Sequence, residues 1–108
     1  MGFLDFIKGK NINDGVQQFS QSDGAVLLDV RTEPEYRGGH IPGSVNVPLE
    51  DIAGAPGLVS DKSKPLYVYC FSGARSSRAC SLLRRMGYED VTNIGGIAGY
   101  RGKVVRKG

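Results

Sequence analysis

Four short apolar runs, none longer than a strand needs, set the limits on what this 108-residue chain can become. Ala25-Val26-Leu27-Leu28-Asp29-Val30 is rich in branched residues and nearly unbroken, the pattern of a strand buried on both faces of a parallel sheet. Ser44-Val45-Asn46-Val47 is a shorter second run. Leu66-Tyr67-Val68-Tyr69 is a third that leads directly into Cys70, and Val91-Thr92-Asn93-Ile94 is a fourth that ends at Gly95-Gly96. Parallel strands cannot be joined by tight hairpins, so each return needs a crossover, usually helical. Residues 75–86 supply the clearest one, with Ala79, Leu82, Leu83 and Met86 on one helical face and Gly87 placed for a left-handed C-terminal cap. Shorter helices are expected at 14–21 with Asp14 as N-cap, at 33–37, at about 49–53, and from 96 to about 104. The alternation predicts an α/β fold, a central parallel β-sheet flanked by helices on both faces.

Length and composition narrow the classes further. A chain of 108 residues fits one domain, and 40% hydrophobic with 23% charged residues is ordinary for a protein with a packed core. The expected division is a short N-terminal segment 1–11 packed on the domain through Phe3, Phe6 and Ile7, a domain 12–104, and a basic tail 105–108. The apolar runs fall far short of the ~20 residues that span a bilayer, and the start of the chain lacks the pattern of an export signal, so no membrane contact is expected. Two cysteines, ten residues apart, with one histidine make neither a disulfide scaffold nor a zinc site. A reducing, cytoplasmic setting, a monomer, and no metal or organic cofactor are expected. Residues 1–54 carry four basic and eight acidic side chains, net −4, and residues 55–108 carry ten and three, net +7. The basic groups are spread over a helix and a tail with few aromatics between them. Attraction of small anions or acidic proteins, rather than nucleic acid, is the reading.

In open parallel sheets, ligands gather at the carboxyl ends of the strands. Only one such end here holds a nucleophile. The segment Cys70-Phe71-Ser72-Gly73-Ala74-Arg75-Ser76 passes from a buried strand into the N-terminus of an amphipathic helix. Backbone N–H groups without helical partners, and the positive end of the macrodipole, favour an anion there. Gly73 lets the loop curl, Arg75 adds a full charge, and the amides of Phe71 through Ser76 are placed to converge on the sulfur. Cysteines in such settings ionise well below their usual value of ~8.5. Cys70 is therefore the expected nucleophile, with Phe71, Ser72, Gly73, Ala74, Arg75 and Ser76 as the substrate-binding loop.

These residues resemble the active-site loop of the rhodanese-like sulfurtransferases, whose pattern is roughly C-x-x-G-x-R-S. Leu27-Leu28-Asp29-Val30-Arg31, Glu35-Tyr36 and the stretch Gly39-His40-Ile41-Pro42-Gly43-Ser44-Val45-Asn46-Val47-Pro48 are similar to the family's amino-terminal signature, and Gly95-Gly96-Ile97 to its carboxyl-terminal one. The resemblance covers residues from about 12 to 104. It implies a rhodanese-like fold and a ping-pong reaction in which a Cys70 persulfide carries sulfane sulfur from a donor, such as thiosulfate or a protein persulfide, to a thiol or cyanide acceptor. Phe71 and Ser72 stand where efficient thiosulfate enzymes of the family often carry basic residues, which favours another donor. A non-catalytic rhodanese-like binding or regulatory module is the alternative. A cysteine phosphatase or arsenate reductase is disfavoured, because those need five residues between Cys and Arg and this loop has four.

The remaining polar residues read as structural. His40 belongs to the turn before the second strand, Asp29 and Arg31 form a network to that turn, and Cys80 packs in the core, too far along a rigid helix to reach Cys70. Tyr100 fills a place where the family often has tryptophan.

Overall fold

The computed structural model describes residues 11–107, so the expected packing of Phe3, Phe6 and Ile7 lies outside the described residues. Strands β1 (Val26–Asp29), β2 (Ser44–Asn46), β3 (Leu66–Cys70) and β4 (Val91–Gly96) form one parallel sheet in the order β2-β1-β3-β4. Side chains alternate across it and make two cores. Leu28, Val30, Leu66, Val68 and Cys70 face one side; Leu27, Tyr69 and Ile94 face the other. The first face is covered by α4 (Ala74–Arg85), a 3₁₀ turn at Leu49–Gly54 and α3 (Ala55–Leu58), the second by α1 (Ile12–Ser20). Short α2 (Glu33–Gly38) links β1 to β2, and its Tyr36 hydroxyl donates to the Ser44 carbonyl at 2.7 Å. The parallel α/β sheet with helices on both faces stands as expected.

Local chemistry explains the element ends. α2 starts in a capping box: the Thr32 N–H donates to Glu35 Oε1 at 2.9 Å while the Glu35 N–H returns to the Thr32 hydroxyl at 3.4 Å. α4 ends on Gly87 at φ 102°, where the Tyr88 N–H reaches the Leu83 carbonyl and the Gly87 N–H the Arg84 carbonyl. Leu83 and Tyr88 share the same core, which completes a Schellman motif.

Two expectations need correction. α1 begins at Ile12 with Asn11, not Asp14, as its N-cap; Asn11 Oδ1 accepts the Asn13 N–H at 2.9 Å. Starting earlier lets Ile12 and Gly15 face the sheet and leaves Asp14 in the first turn, where the dipole favours a carboxylate. The helix expected from 96 to about 104 is only a 3₁₀ turn, Ile97–Gly99. Its backbone is claimed elsewhere: Asn13 donates to the Gly99 carbonyl and accepts the Arg101 N–H, and the Ala98 N–H donates to the Phe71 carbonyl. Further on, Val105 pairs antiparallel with His40, and the Lys107 N–H donates to the Arg37 carbonyl at 3.1 Å.

α1 sits so close to β4 that a Cβ on Gly15 would overlap the Ile94 side chain. Gly15→Ala is expected to lower unfolding stability by about 1–3 kcal/mol, the usual cost of overpacking, despite alanine's better helix propensity. A urea titration showing equal or greater stability contradicts this packing.

Candidate active site

The site is made where β3 turns into α4. Cys70 closes β3 at 1% exposure, and Ala74 already begins the helix. Such an abrupt turn needs a residue tolerant of positive φ, and Gly73 supplies it as N-cap at φ 110°. Its N–H then points back at the sulfur, donating to Cys70 Sγ at 2.9 Å. The Ser76 hydroxyl oxygen, on the first turn of α4, lies 3.4 Å from the same sulfur.

β4 holds this turn from the other side. The β3–β4 register slips after Val68: Val68 pairs with Asn93, Tyr69 with Gly95 and Cys70 with Gly96, leaving Ile94 as the extra residue of a bulge. The bulge brings Gly96 against the loop so tightly that a Cβ there would overlap the Phe71 carbonyl and Ser72 Cα. The same Phe71 carbonyl is tied by the Ala98 N–H at 3.0 Å. Gly96 thus allows the β4 backbone to approach the cradle closely.

Two opposed effects act on the Cys70 thiol. Burial alone pushes its pKa up, but hydrogen bonds from Ser76, through side chain and backbone, and from the Gly73 and Ser72 amides outweigh it, so the value falls below the usual range. Cys80 has no such partners, and burial pushes it up to about 11. Cys80 packs in the core beside Ala79 and Leu83, a structural place as expected.

The loop residues divide by placement. Ser72, Gly73 and Ser76 turn backbone or side-chain donors toward the sulfur. Phe71 is 51% exposed beside the sulfur, and Ala74 is exposed at the helix start. The Arg75 guanidinium does not reach for Cys70. It pairs with Glu35, Nη1 to Oε1 at 2.8 Å and Nη2 to Oε2 at 3.1 Å, which holds the Glu35 carboxyl down to about 2. Its charge is still felt electrostatically by the sulfur. Glu35 thus serves twice, capping α2 and anchoring α4. Its capping role is legible in Thr32-Glu33-Pro34-Glu35; its reach to Arg75 is not, since 40 residues separate the pair.

Behind the site, Asp29 is fully buried and binds Arg31 through both carboxylate oxygens, at 2.7 to 3.1 Å, while Arg31 Nη2 donates to the Gly39 carbonyl at 2.7 Å. Asp29 raises the Arg31 pKa against the desolvation that lowers it. His40 stacks on Tyr36 at 3.7 Å, with Nδ1 2.8 Å from the Tyr36 carbonyl. These groups order the turn before β2. Asn93 is the functional candidate that the sequence pattern did not single out: its Oδ1 accepts the Ser76 hydroxyl at 2.8 Å. The one signal for it is a polar residue at the parity of β4 that faces α4.

Fold and site together define a class, the open parallel α/β sheets with an ionisable cysteine at the carboxyl end of a central strand beneath a helix start. The chain belongs to the Rhodanese-like domain family, whose match spans residues 13–103. It is similar to the thiosulfate sulfurtransferase PspE of Escherichia coli strain K12, 37% identical over 71 residues that cover 65% of this chain and 68% of the relative. The Bacillus subtilis protein YqhL is 38% identical over 84 residues, 77% of this chain but 66% of its own length, so about a third of that relative lies outside the match. Among solved structures, a rhodanese with anions from E. coli superposes with a TM-score of 0.71 at 32% identity, covering 76% of this chain and 98% of the other.

Two thiol ionisations are expected in ultraviolet thiolate absorbance: one below that of a free cysteine thiol, lost in Cys70→Ser, and one at about 11. Because the Cys70 value is depressed, its reactivity rises as pH rises through a midpoint lower than that of a free thiol. Arg75→Ala is expected to raise that midpoint and Glu35→Gln to lower it, each by less than about one unit because solvent screens this partly exposed pair. Shifts of the same sign in both variants contradict a charge-pair effect.

Proposed function

We propose that this chain is a rhodanese-type sulfurtransferase that moves sulfane sulfur from a donor, such as thiosulfate or a protein persulfide, to a thiophilic acceptor through a persulfide on Cys70. The observation that carries the reading is the Gly73 N–H at 2.9 Å from the Cys70 sulfur, with the Ser76 hydroxyl beside it, at the start of a twelve-residue helix. Donors so placed stabilise a thiolate without a general base. With thiosulfate as donor, the thiolate attacks the sulfane sulfur, a new S–S bond forms, and the thiosulfate S–S bond breaks with its electron pair leaving on sulfite. Cys70 is left as a persulfide anion. A second nucleophile, cyanide or a thiolate, then bonds to the outer sulfur, and the electrons of the S–S bond return to Cys70. The terminal sulfur is itself anionic and meets the same amides, which favour negative charge before and after transfer.

Cys70 is 1% exposed, which suits a narrow reagent such as thiosulfate, cyanide or the end of a persulfide rather than a bulky ester. PspE carries thiosulfate in its name; here Phe71 and Ser72 bring no positive charge to the loop, so a protein persulfide is the favoured natural donor. The Glu35 pairing also draws the Arg75 guanidinium away from the clamp that a phosphate or arsenate would need. The transfer steps use Cys70 with its hydrogen-bond donors, the sulfur donor and the acceptor. Among the described residues no helix is long and apolar enough to cross a membrane; with both cysteines unpaired, we place the activity in a reducing, cytoplasmic setting.

Incubation of the reduced protein with thiosulfate, and separately with a protein persulfide, is expected to add one sulfur by intact mass, located on Cys70 and absent from Cys70→Ser. Failure of every donor to add sulfur overturns the reading, and partner capture unaffected by Cys70→Ser would instead support a binding module.

A further inference from the structure

Asn93 stands outside the Cys70–Ser76 loop, on β4, yet its side chain meets that loop at its most buried point. Oδ1 accepts the Gly95 N–H at 3.0 Å and the Ser76 hydroxyl at 2.8 Å, while Nδ2 lies 3.5 Å from the Gly73 carbonyl. A backbone N–H can only donate, so the Gly95 contact identifies the amide oxygen and fixes which way the group faces. Gly95 is held in turn by the β3–β4 bulge. Asn93 is thus pinned by backbone while presenting an acceptor to one side chain.

That side chain, Ser76, is fully buried and has one proton to give. Three acceptors stand around it: Asn93 Oδ1 at 2.8 Å, the Gly73 carbonyl at 3.1 Å and the Cys70 sulfur at 3.4 Å. When Cys70 is a neutral thiol, its S–H donates to the Ser76 oxygen and the Ser76 proton goes to Asn93. When Cys70 is a thiolate, the thiol proton has left to solvent, the sulfur has only lone pairs to offer, and the hydroxyl must turn away from Asn93 to reach it. Asn93 Oδ1, the nearest of the three, is therefore the main competitor of the sulfur for one proton, and the charge on the sulfur decides between them.

We propose that Asn93 is a positioning residue that holds the Ser76 hydroxyl proton off Cys70 while the sulfur is uncharged and yields it when the sulfur becomes a thiolate. This rests on the sulfurtransfer reading for its purpose. In that cycle the Cys70 sulfur is charged when it attacks the donor and when it leaves the persulfide, and uncharged in the persulfide itself, whose charge sits on the outer sulfur. A donor that turns with the charge is withheld from the uncharged Cys70 sulfur of the persulfide and engages as charge returns to that sulfur in the step that empties it, which favours that transition state over the resting persulfide. The charged and titratable groups nearest the sulfur come from three elements. Arg75 and Cys80 lie on α4, Arg75 paired with Glu35 of α2; Asp29 and Arg31 at the end of β1 pair with each other; and β4 from Val91 to Gly96 contributes no ionisable side chain. Asn93 therefore acts through Ser76 and not through charge.

Removal of the competing acceptor makes a prediction of opposite sign to simple loosening. Asn93→Leu, of similar size, removes the nearest competing acceptor and leaves only the Gly73 carbonyl against the sulfur, so the Cys70 ionisation midpoint is expected to fall, with the thiolate fraction below it rising about three- to tenfold, half to one unit. Asn93→Asp holds the hydroxyl more firmly and adds charge, and the midpoint is expected to rise. Ultraviolet thiolate titration of each variant, with Ser76→Ala as the common background, reads both. A fall in Asn93→Leu that disappears in Ser76→Ala supports the proposal; an unchanged or raised midpoint in Asn93→Leu overturns it. If Asn93→Leu does not fold, Asn93→Asp decides alone: a larger rise with Ser76 present than in Ser76→Ala supports the role, and equal rises overturn it. Titration needs no sulfur donor, so the two readings fail separately. Shifts as described in a protein that forms no persulfide overturn the sulfurtransferase alone, and persulfide formation without the shifts overturns the Asn93 role alone.

Discussion

Everything at the site depends on placing a sulfur in the core while giving it hydrogen bonds that solvent would otherwise provide. Burial raises the energy of a thiolate, and Cys70 is almost fully buried. What reverses the outcome is the turn from β3 to α4, in which Gly73 adopts a left-handed conformation and aims its N–H at the sulfur. The dependence runs outward from there. Gly73 sits at that angle because α4 begins at once, and α4 begins there because its apolar face must lie on the sheet beside Leu28 and Val68. Cys80, on the same helix and equally buried, receives no such donors and moves in the opposite direction.

Two long-range ties keep the turn from relaxing. Glu35 and Arg75 join the start of α2 to the first turn of α4, and the depressed Glu35 carboxyl keeps that pair charged through any ordinary pH. On the opposite side, Gly96 lets the β4 backbone pack against Phe71 and Ser72, where any side chain would push the loop outward. The buried Asp29–Arg31 pair works at a further remove. Its contribution is orientation more than net stability, since desolvation of buried ions offsets much of their attraction; Arg31 uses it to fix the Gly39 carbonyl and, with it, the His40 turn.

Much of this is legible in the chain because it is local. The four strand runs, the short helix after Thr32 and the Gly87 cap each depend on residues close in the chain and appear where the sequence pattern puts them, and the Thr32-to-Glu35 capping box that starts that helix is equally local. The misplaced start of α1 and the missing helix after β4 have a common cause. In both, asparagines capture backbone groups, Asn11 at the helix start and Asn13 across the chain to Gly99 and Arg101, and such captures leave no periodic trace.

By itself the sequence determined the parallel α/β architecture, the cysteine at a strand end and the loop that turns around it into a helix, because hydrophobic period, turn chemistry and the Cys70-to-Ser76 motif are short-range properties. Only the tertiary structure decided where the charge and the protons go. Arg75 turned to Glu35 instead of to the sulfur, and Asn93, the last β4 residue before the register slips, came to face Ser76 of a helix seventeen residues away in the chain. The reason is physical: hydrogen-bond partners are chosen by distance in space, and residues far apart in the chain meet only after the sheet has set their register.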